Sequence, residues 1–209
     1  MKKLMLVALT IFSVSLGLSA QDFEGIIEFK KQEGSNVENM VWYVKGDLVR
    51  VDQFEPKSRI LKSALLINTK DSSVTFIDHH AKTHQRNVAS MTPSILMGCV
   101  IEETKNSKEM LTYKTSEYTV KLPGDTANYS YWISSGKFGF FKTAAWLFGS
   151  TNNYFNYYWA LEPKSGTMPM LVTKSNAKGE ETGRLEVTRV DKKAIDEKLF
   201  SIPAEYKEK

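Results

Sequence analysis

The sequence predicts a mainly β (α+β) fold, in which a large antiparallel sheet curls and short apolar helices cover its concave face. Three observations support this prediction. Apolar and polar residues alternate in repeated short runs. Polar turns of a few residues join these runs, so that consecutive strands pair antiparallel. Two later segments have the composition of short apolar helices.

Residues 1–20 have the pattern of a cleavable secretory signal peptide. Two lysines precede an apolar run from Leu4 to Leu18, and Ala20 is the small residue before the cut. Because this run is shorter than the ~20 residues that cross a bilayer, we expect cleavage after Ala20, no transmembrane segment and a periplasmic location. The cleavage site carries no cysteine, so we expect no lipid anchor. Residues 21–209 contain no long linker and are predicted to form a single domain.

The composition is that of a globular protein. Of the 209 residues, 42% are hydrophobic and 25% are charged, and the formal net charge is +4. Lysines and acidic residues are interspersed, whereas nucleic-acid binding usually requires a clustered basic stripe. We therefore predict no nucleic-acid partner.

Six strand patterns follow the signal peptide, with no helical pattern between them. Gly46 supplies the backbone freedom that the hairpin turn Lys45–Leu48 requires. A meander of this kind argues against a parallel sheet with helical crossovers. The predicted strands are Phe23–Lys31, Met40–Lys45, Leu48–Phe54, Ser58–Asn68, Val74–Asp78 and Thr83–Asn87.

The pattern changes in the middle of the chain. Thr92 can cap a helix and Pro93 suits its first turn, which predicts a short apolar helix over residues 92–100. The only cysteine, Cys99, has apolar neighbours that suppress thiolate chemistry, so we expect it to pack rather than react. Strand patterns return at Met110–Tyr118 and Tyr118–Leu122, either as two strands or as one bent strand. The remaining predicted strands are Ala127–Ser134, Tyr154–Glu162, Thr167–Ser175 and Thr182–Val190, with a helical turn near Ile195–Leu199.

Residues 138–149 form the second predicted helix, which ends at Gly149. It is apolar nearly all round, with only Lys142 and Thr143 interrupting it, and ten of the chain's aromatic residues lie between Phe138 and Trp159. A helix of this kind must be covered on every side. Two interpretations remain open from the residues: plain core packing, or the wall of a cavity that holds an acyl chain or similar apolar molecule.

No pattern of residues predicts catalysis. The chain contains no Gly-x-Ser-x-Gly elbow and no phosphate-binding glycine loop. All three histidines, His79, His80 and His84, lie within one short segment, which predicts a solvated hairpin and leaves open a weak metal site. We therefore expect no enzyme, no catalytic or metal-binding residues and no cofactor.

Several short motifs resemble a family of secreted Gram-negative proteins known as a domain of unknown function, itself similar to the LolA/LolB-type lipoprotein carriers. They are Phe23–Phe29, the strand–turn–strand Trp42–Arg50, the stretch Glu109–Lys114 and the closing phrase Leu199–Lys207. Two positions depart from the family pattern: Thr112 replaces an expected glycine, and Ser116 lies where some members carry a cysteine. The resemblance implies an incomplete barrel closed by helices over a hydrophobic cavity, which takes up acyl chains in the carriers.

The functional hypothesis is therefore a non-enzymatic periplasmic protein that binds or carries a lipid or other hydrophobic small molecule between sheet and helices. The alternative is a structural or interaction protein of the cell envelope, with a filled core, no ligand and an envelope protein as its partner. The residues predicted to line the cavity are Ile95, Leu96, Phe140, Phe141, Trp146 and Phe148.

Overall fold

The computed structural model describes residues 23–55, 58–88, 98–121, 124, 126–149 and 153–209. The predicted signal peptide and most of the predicted helix 92–100, including Ile95 and Leu96, lie outside these residues. Of that helix only residues 98–100 are described, and Val100 already begins a strand.

Twelve strands form one sheet in the order β12-β6-β5-β4-β3-β2-β1-β11-β10-β9-β8-β7. Every neighbouring pair is antiparallel except β12 and β6, which are parallel. The sheet is curved and does not close, so the predicted mainly β fold with an incomplete barrel is confirmed. The strands are β1 (Glu24–Glu33), β2 (Asn36–Lys45), β3 (Leu48–Phe54), β4 (Leu61–Asn68), β5 (Ser73–Asp78), β6 (Thr83–Val88), β7 (Val100–Met110), β8 (Tyr113–Lys121), β9 (Asn128–Ser135), β10 (Thr167–Ser175), β11 (Glu181–Lys192) and β12 (Lys207–Glu208).

The first strands form because their apolar residues recur at every second position and face one side. Ile27 and Phe29 of β1, and Trp42 and Val44 of β2, are each at most 1% exposed. Gly46 joins β2 to β3 with a φ of 58°, a left-handed conformation that glycine adopts without steric cost. The hairpin predicted at this glycine is confirmed.

Two helices, α1 (Phe141–Gly149) and α2 (Asn153–Asn156), and a 3₁₀ turn (Trp159–Leu161) lie against the concave face. The predicted helix 138–149 is confirmed from Phe141 onward. The predicted strand Tyr154–Glu162 is wrong, because that segment is helical. Its buried aromatics Tyr154, Phe155 and Tyr158 follow the spacing of one helical face rather than the alternation of a strand.

The sheet contains a strand that the sequence did not predict, and a turn where a strand was predicted. β7 is polar and mostly exposed, so it has no apolar alternation to mark it. The predicted strand from Met110 is interrupted at Leu111 and Thr112, whose φ values of 48° and 69° turn the chain from β7 into β8. Thr112 thus occupies a left-handed position where glycine is sterically easier, which agrees with the glycine expected there.

The C-terminal segment crosses the convex face of β2–β6. The Arg50 guanidinium donates to the Leu199 carbonyl (2.9 Å), and the Lys45 ammonium donates to the Ile195 carbonyl (3.3 Å). A 3₁₀ turn at Glu197–Phe200 stands where the helical turn was predicted. In the first half of the sheet, α1 therefore covers part of the concave face and this segment covers the convex face.

Among the helices of the described residues, none is long and apolar enough to cross a membrane.

Candidate apolar site on the concave face

An aromatic cluster fills the space between α1, α2 and the sheet. The ring centroid of Trp42 lies 5.2 Å from that of Phe29, 5.6 Å from those of Phe141 and Phe148, and 5.7 Å from that of Phe155. All five side chains are at most 2% exposed. Their contacts are stacked, tilted and edge-to-face, and offset-stacked and edge-to-face pairs are the favourable geometries for aromatic rings. We call these five residues the aromatic hub.

The structure brings three of the predicted lining residues together and separates a fourth. Phe141 and Phe148 belong to the hub, and Phe140 lies beside it, with its ring 6.2 Å from Phe141. Trp146 faces a different side of α1, is only half-buried and contacts Trp159 edge-to-face at 5.1 Å. A ligand that touches Phe141 or Phe148 must therefore displace aromatic neighbours, whereas Trp146 lies nearer to solvent.

The same apolar face continues from the hub toward the edge of the sheet. Register pairs Trp42 with Val51, Val51 with Leu65, and Leu65 with Phe76. Trp42 and Val51 are fully buried, Leu65 is half-buried and Phe76 is 40% exposed. Beside this row, Val74 of β5 is also half-buried and packs against the core. We call Leu65, Val74 and Phe76 the rim strip.

The rim strip was not predicted from the sequence, although part of the signal was present. Leu65 lies in a run of β4 that is apolar at four consecutive positions, which indicates burial on both faces of a strand. The alignment of Leu65 with Phe76 depends on the register between β4 and β5. That register could not be read from either strand alone.

The hub contains one buried polar atom that the described residues leave unsatisfied. Nε1 of Trp42 has no hydrogen-bond partner, and the side chain is fully buried. A buried donor without an acceptor costs on the order of 1–3 kcal/mol. Here the indole N–H could donate to a carbonyl or carboxylate oxygen.

Two of the three histidines are held by different neighbours, whereas the buried Nδ1 of His84 has no hydrogen-bond partner among the described residues. A hydrogen bond of 2.8 Å joins Nδ1 of His79 to the Tyr206 hydroxyl, and one of 2.9 Å joins Nε2 of His80 to the Glu55 carboxylate. Burial, with a smaller contribution from Arg50, lowers the pKa of His79 below its ordinary value. Across the part of the chain that the structure describes, no three His, Cys, Asp or Glu side chains converge as a metal site.

A charged pair lies beneath the C-terminal segment, on the face opposite the hub. Nε of Arg50 donates to the Asp52 carboxylate at 2.6 Å, and both side chains are about 10% exposed or less. Burial raises the pKa of the Asp52 carboxyl above its ordinary value, and the guanidinium opposes this shift only in part. The pair attaches the C-terminal segment to the sheet, because Arg50 also donates to Leu199.

Comparison with known proteins identifies a family and a shared fold. The model of a family described as a domain of unknown function, DUF4412, matches residues 23–206. No curated protein matches the sequence.

Solved structures resemble the chain at low identity. An uncharacterized conserved protein from Thermus thermophilus is 11% identical, with a TM-score of 0.52 over 88% of this chain and 90% of that one. A chain of the Pseudomonas aeruginosa MucA/MucB complex is 13% identical, with a TM-score of 0.51 over 89% of this chain and 58% of that one. A candidate outer membrane lipoprotein-sorting protein domain from Vibrio parahaemolyticus is 9% identical, with a TM-score of 0.32 over 87% of this chain and 92% of that one. At these identities the first two likenesses show the fold alone.

Proposed function

The chain belongs to the DUF4412 family, and we propose that it is a non-enzymatic periplasmic protein that binds a lipid or other hydrophobic molecule on the concave face of its sheet. The family resemblance read from the sequence motifs is thereby confirmed, but the family's description states no activity. The proposal therefore depends on the residues of this chain.

The observation that carries the proposal is the rim strip. An apolar ligand placed over Leu65, Val74 and Phe76 covers the Phe76 side chain, which is 40% exposed. It also extends the row of cross-strand neighbours that runs from Phe76 and Leu65 to the buried Val51 and Trp42. Burying ten methylenes contributes roughly 8 kcal/mol before the costs of ordering the ligand. The ligand therefore needs no charged clamp.

Four of the lining residues predicted from the sequence lie on or next to α1. Phe140, Phe141 and Phe148 lie at the inner end of the row, and Trp146 lies on the outer side of α1. We propose that the ligand lies along the rim strip and reaches Phe141 and Phe148 by displacing their aromatic neighbours in the hub. Ile95 and Leu96 remain predicted lining residues.

The periplasmic location rests on the signal-peptide pattern of residues 1–20. That compartment lies between two membranes, where an apolar ligand requires a protein to shield it from water. The location and the ligand class are therefore consistent with one another.

Mass spectrometry of bound material tests the proposal directly. The mature protein is purified from the periplasm under mild conditions and extracted with organic solvent. We expect a defined apolar compound at about one molecule per chain. An empty extract from folded protein would contradict the proposal.

A matched pair of variants locates the site. Phe76→Lys places a charge on the rim strip, and Ile101→Lys places one on β7, where the wild-type side chain is 43% exposed against 40% for Phe76. We expect Phe76→Lys to lose most of the bound compound and Ile101→Lys to retain it. Equal retention by the two variants would rule out the rim strip as the site.

A second candidate function follows from the aromatic hub itself. Because the hub side chains are at most 2% exposed, the same residues can serve as a filled core in an envelope interaction protein without a ligand. Copurification of a stoichiometric protein partner, together with an empty solvent extract, would favour this function.

A further inference from the structure

The edge strand β7 is open to solvent in an unusual way. It is the last strand of the sheet, and within the described chain only β8 pairs with it. Nine of its eleven residues are exposed, including Val100 at 65% and Ile101 at 43%. Such an edge presents a row of backbone donors and acceptors to any further strand.

The irregularity in β7 is symmetric along the strand. Glu103 pairs with Tyr118 and Ser107 pairs with Ser116, so four residue steps along β7 match only two along β8. The register therefore shifts between Glu103 and Ser107, and β7 forms a bulge there. Lys105 is the midpoint of this bulge. The regular segments on either side, 100–103 and 107–110, are equal in length.

Charge and hydrophobicity follow the same symmetry. If a second β7 runs antiparallel with Lys105 opposite its own copy, Glu102 lies opposite Lys108 and Val100 lies opposite Met110. Each pairing occurs twice. A register shifted by one residue places Glu102 opposite Glu109 or Ser107 instead, so the Glu102–Lys108 pairs are lost.

The complementary side chains also lie on one face of the sheet. Glu102 pairs with Thr119 and Lys108 with Thr115, and these two positions of β8 share a face because they are four residues apart. Lys108 extends over the ring of Trp132, with its ammonium 3.8 Å from the ring centroid. Because Trp132 lies on β9, inward of β8, the Lys108 ammonium must swing from this ring toward the free edge of β7 to meet the Glu102 carboxylate across the junction.

We propose that β7 pairs with β7 of a second copy of this chain across a two-fold axis at Lys105, so that one sheet continues through two molecules. The contact is isologous, since the same strand supplies both sides. The two Lys105 side chains meet at the axis and weaken the contact, the two Glu102–Lys108 pairs stabilise it, and the symmetry of the bulge about Lys105 sets the register. The inference is independent of the apolar site on the concave face.

Charge reversal tests this register by analytical ultracentrifugation. We expect the wild-type protein to associate to twice its monomer mass as its concentration rises through the micromolar range. Glu102→Lys and Lys108→Glu each replace two attractive pairs with two repulsive ones, and each should raise the dissociation constant by roughly tenfold or more. Glu38→Lys, an equal charge change at an exposed position on β2, should leave association unchanged.

Mixing the two single variants tests whether Glu102 and Lys108 contact one another across the dimer. A Glu102→Lys chain beside a Lys108→Glu chain restores both opposite-charge pairs, so the mixture should dimerise as the wild type does. The double variant Glu102→Lys/Lys108→Glu should also dimerise. A wild type that stays monomeric, single variants that dimerise normally, or a mixture that stays monomeric would each overturn the proposal.

Cross-linking tests the axis independently of the charges. In a Cys99→Ala background, Lys105→Cys places two thiols opposite one another, and oxidation should convert the chain to a covalent dimer. Glu38→Cys in the same background should remain monomeric. Equal cross-linking of the two variants would show that the contact at Lys105 is not specific.

Discussion

Gly183 shows how a single position limits the packing of an aromatic residue. A Cβ atom added there would lie 2.2 Å from the Tyr154 hydroxyl and 3.2 Å from the Gln32 carbonyl. Tyr154 itself is 1% exposed, so it has little room to move. Glycine is therefore required at this point of β11 by close approach rather than by its backbone angle.

We expect Gly183→Ala to lower the free energy of unfolding by about 1–3 kcal/mol, the usual cost of overpacking. Urea denaturation measures the loss. In a Tyr154→Phe background the same substitution should cost less, because the clashing hydroxyl is gone. Additive effects of the two changes would show that Tyr154 is not the cause.

Protonation of Asp52 and protonation of Asp71 should change the stability of the folded state in opposite directions. Burial raises the pKa of the Asp52 carboxyl, so the folded state binds this proton more tightly than the unfolded state. Hydrogen bonds from Ser73 lower the pKa of the exposed Asp71 carboxyl, so the folded state binds this proton less tightly.

As the pH falls toward the ordinary carboxyl value of 3.8, the stability of the wild type should therefore rise relative to Asp52→Asn. As the pH falls below 3.8 through the lowered pKa of Asp71, the stability of the wild type should fall relative to Asp71→Asn. Thermal denaturation of the three proteins across this range measures both slopes. Slopes of the same sign would contradict the assigned environments.

At the scale of elements, the C-terminal segment serves as a cover for the convex face. Arg50 holds Leu199 at one end. At the other end, His79 holds Tyr206, and β12 pairs with β6. Because the segment is attached at several separate points, loss of one attachment should loosen it locally without unfolding the sheet.

Tyr206→Phe tests this attachment, because it removes the hydroxyl bonded to His79 and keeps the ring that packs on the imidazole at 5.6 Å. We expect a cost of about 1 kcal/mol and faster amide hydrogen exchange confined to β12 and β6. Tyr118→Phe removes an exposed hydrogen bond to Glu103 and should leave that exchange unchanged. Unchanged exchange in Tyr206→Phe would show that the hydroxyl does not hold the segment.

For the whole molecule, ligand binding and stability are linked. A ligand present at 100 times its dissociation constant stabilises the folded state by about 2.7 kcal/mol. For a chain of this size that shift corresponds to roughly 5–10 °C in Tm. Delipidated protein should therefore melt lower than protein as purified, and adding back the extracted compound should restore the difference. Identical melting curves would argue for the filled-core function.

Local patterns determined much of the architecture. Alternating residues predicted the first six strands, Gly46 predicted a hairpin, and the apolar run predicted α1. These features depend on backbone geometry and on which side of one element is apolar. Both are readable within a few neighbouring residues.

Only the tertiary structure decided which faces meet. It made the segment after α1 helical, extended the sheet by the polar strand β7 and packed Phe141 and Phe148 into the aromatic hub. It also aligned Leu65 with Phe76, which defines the rim strip. The physical reason is that register and burial depend on contacts between residues distant in the chain, whereas periodicity shows only that a side chain needs cover and not what covers it.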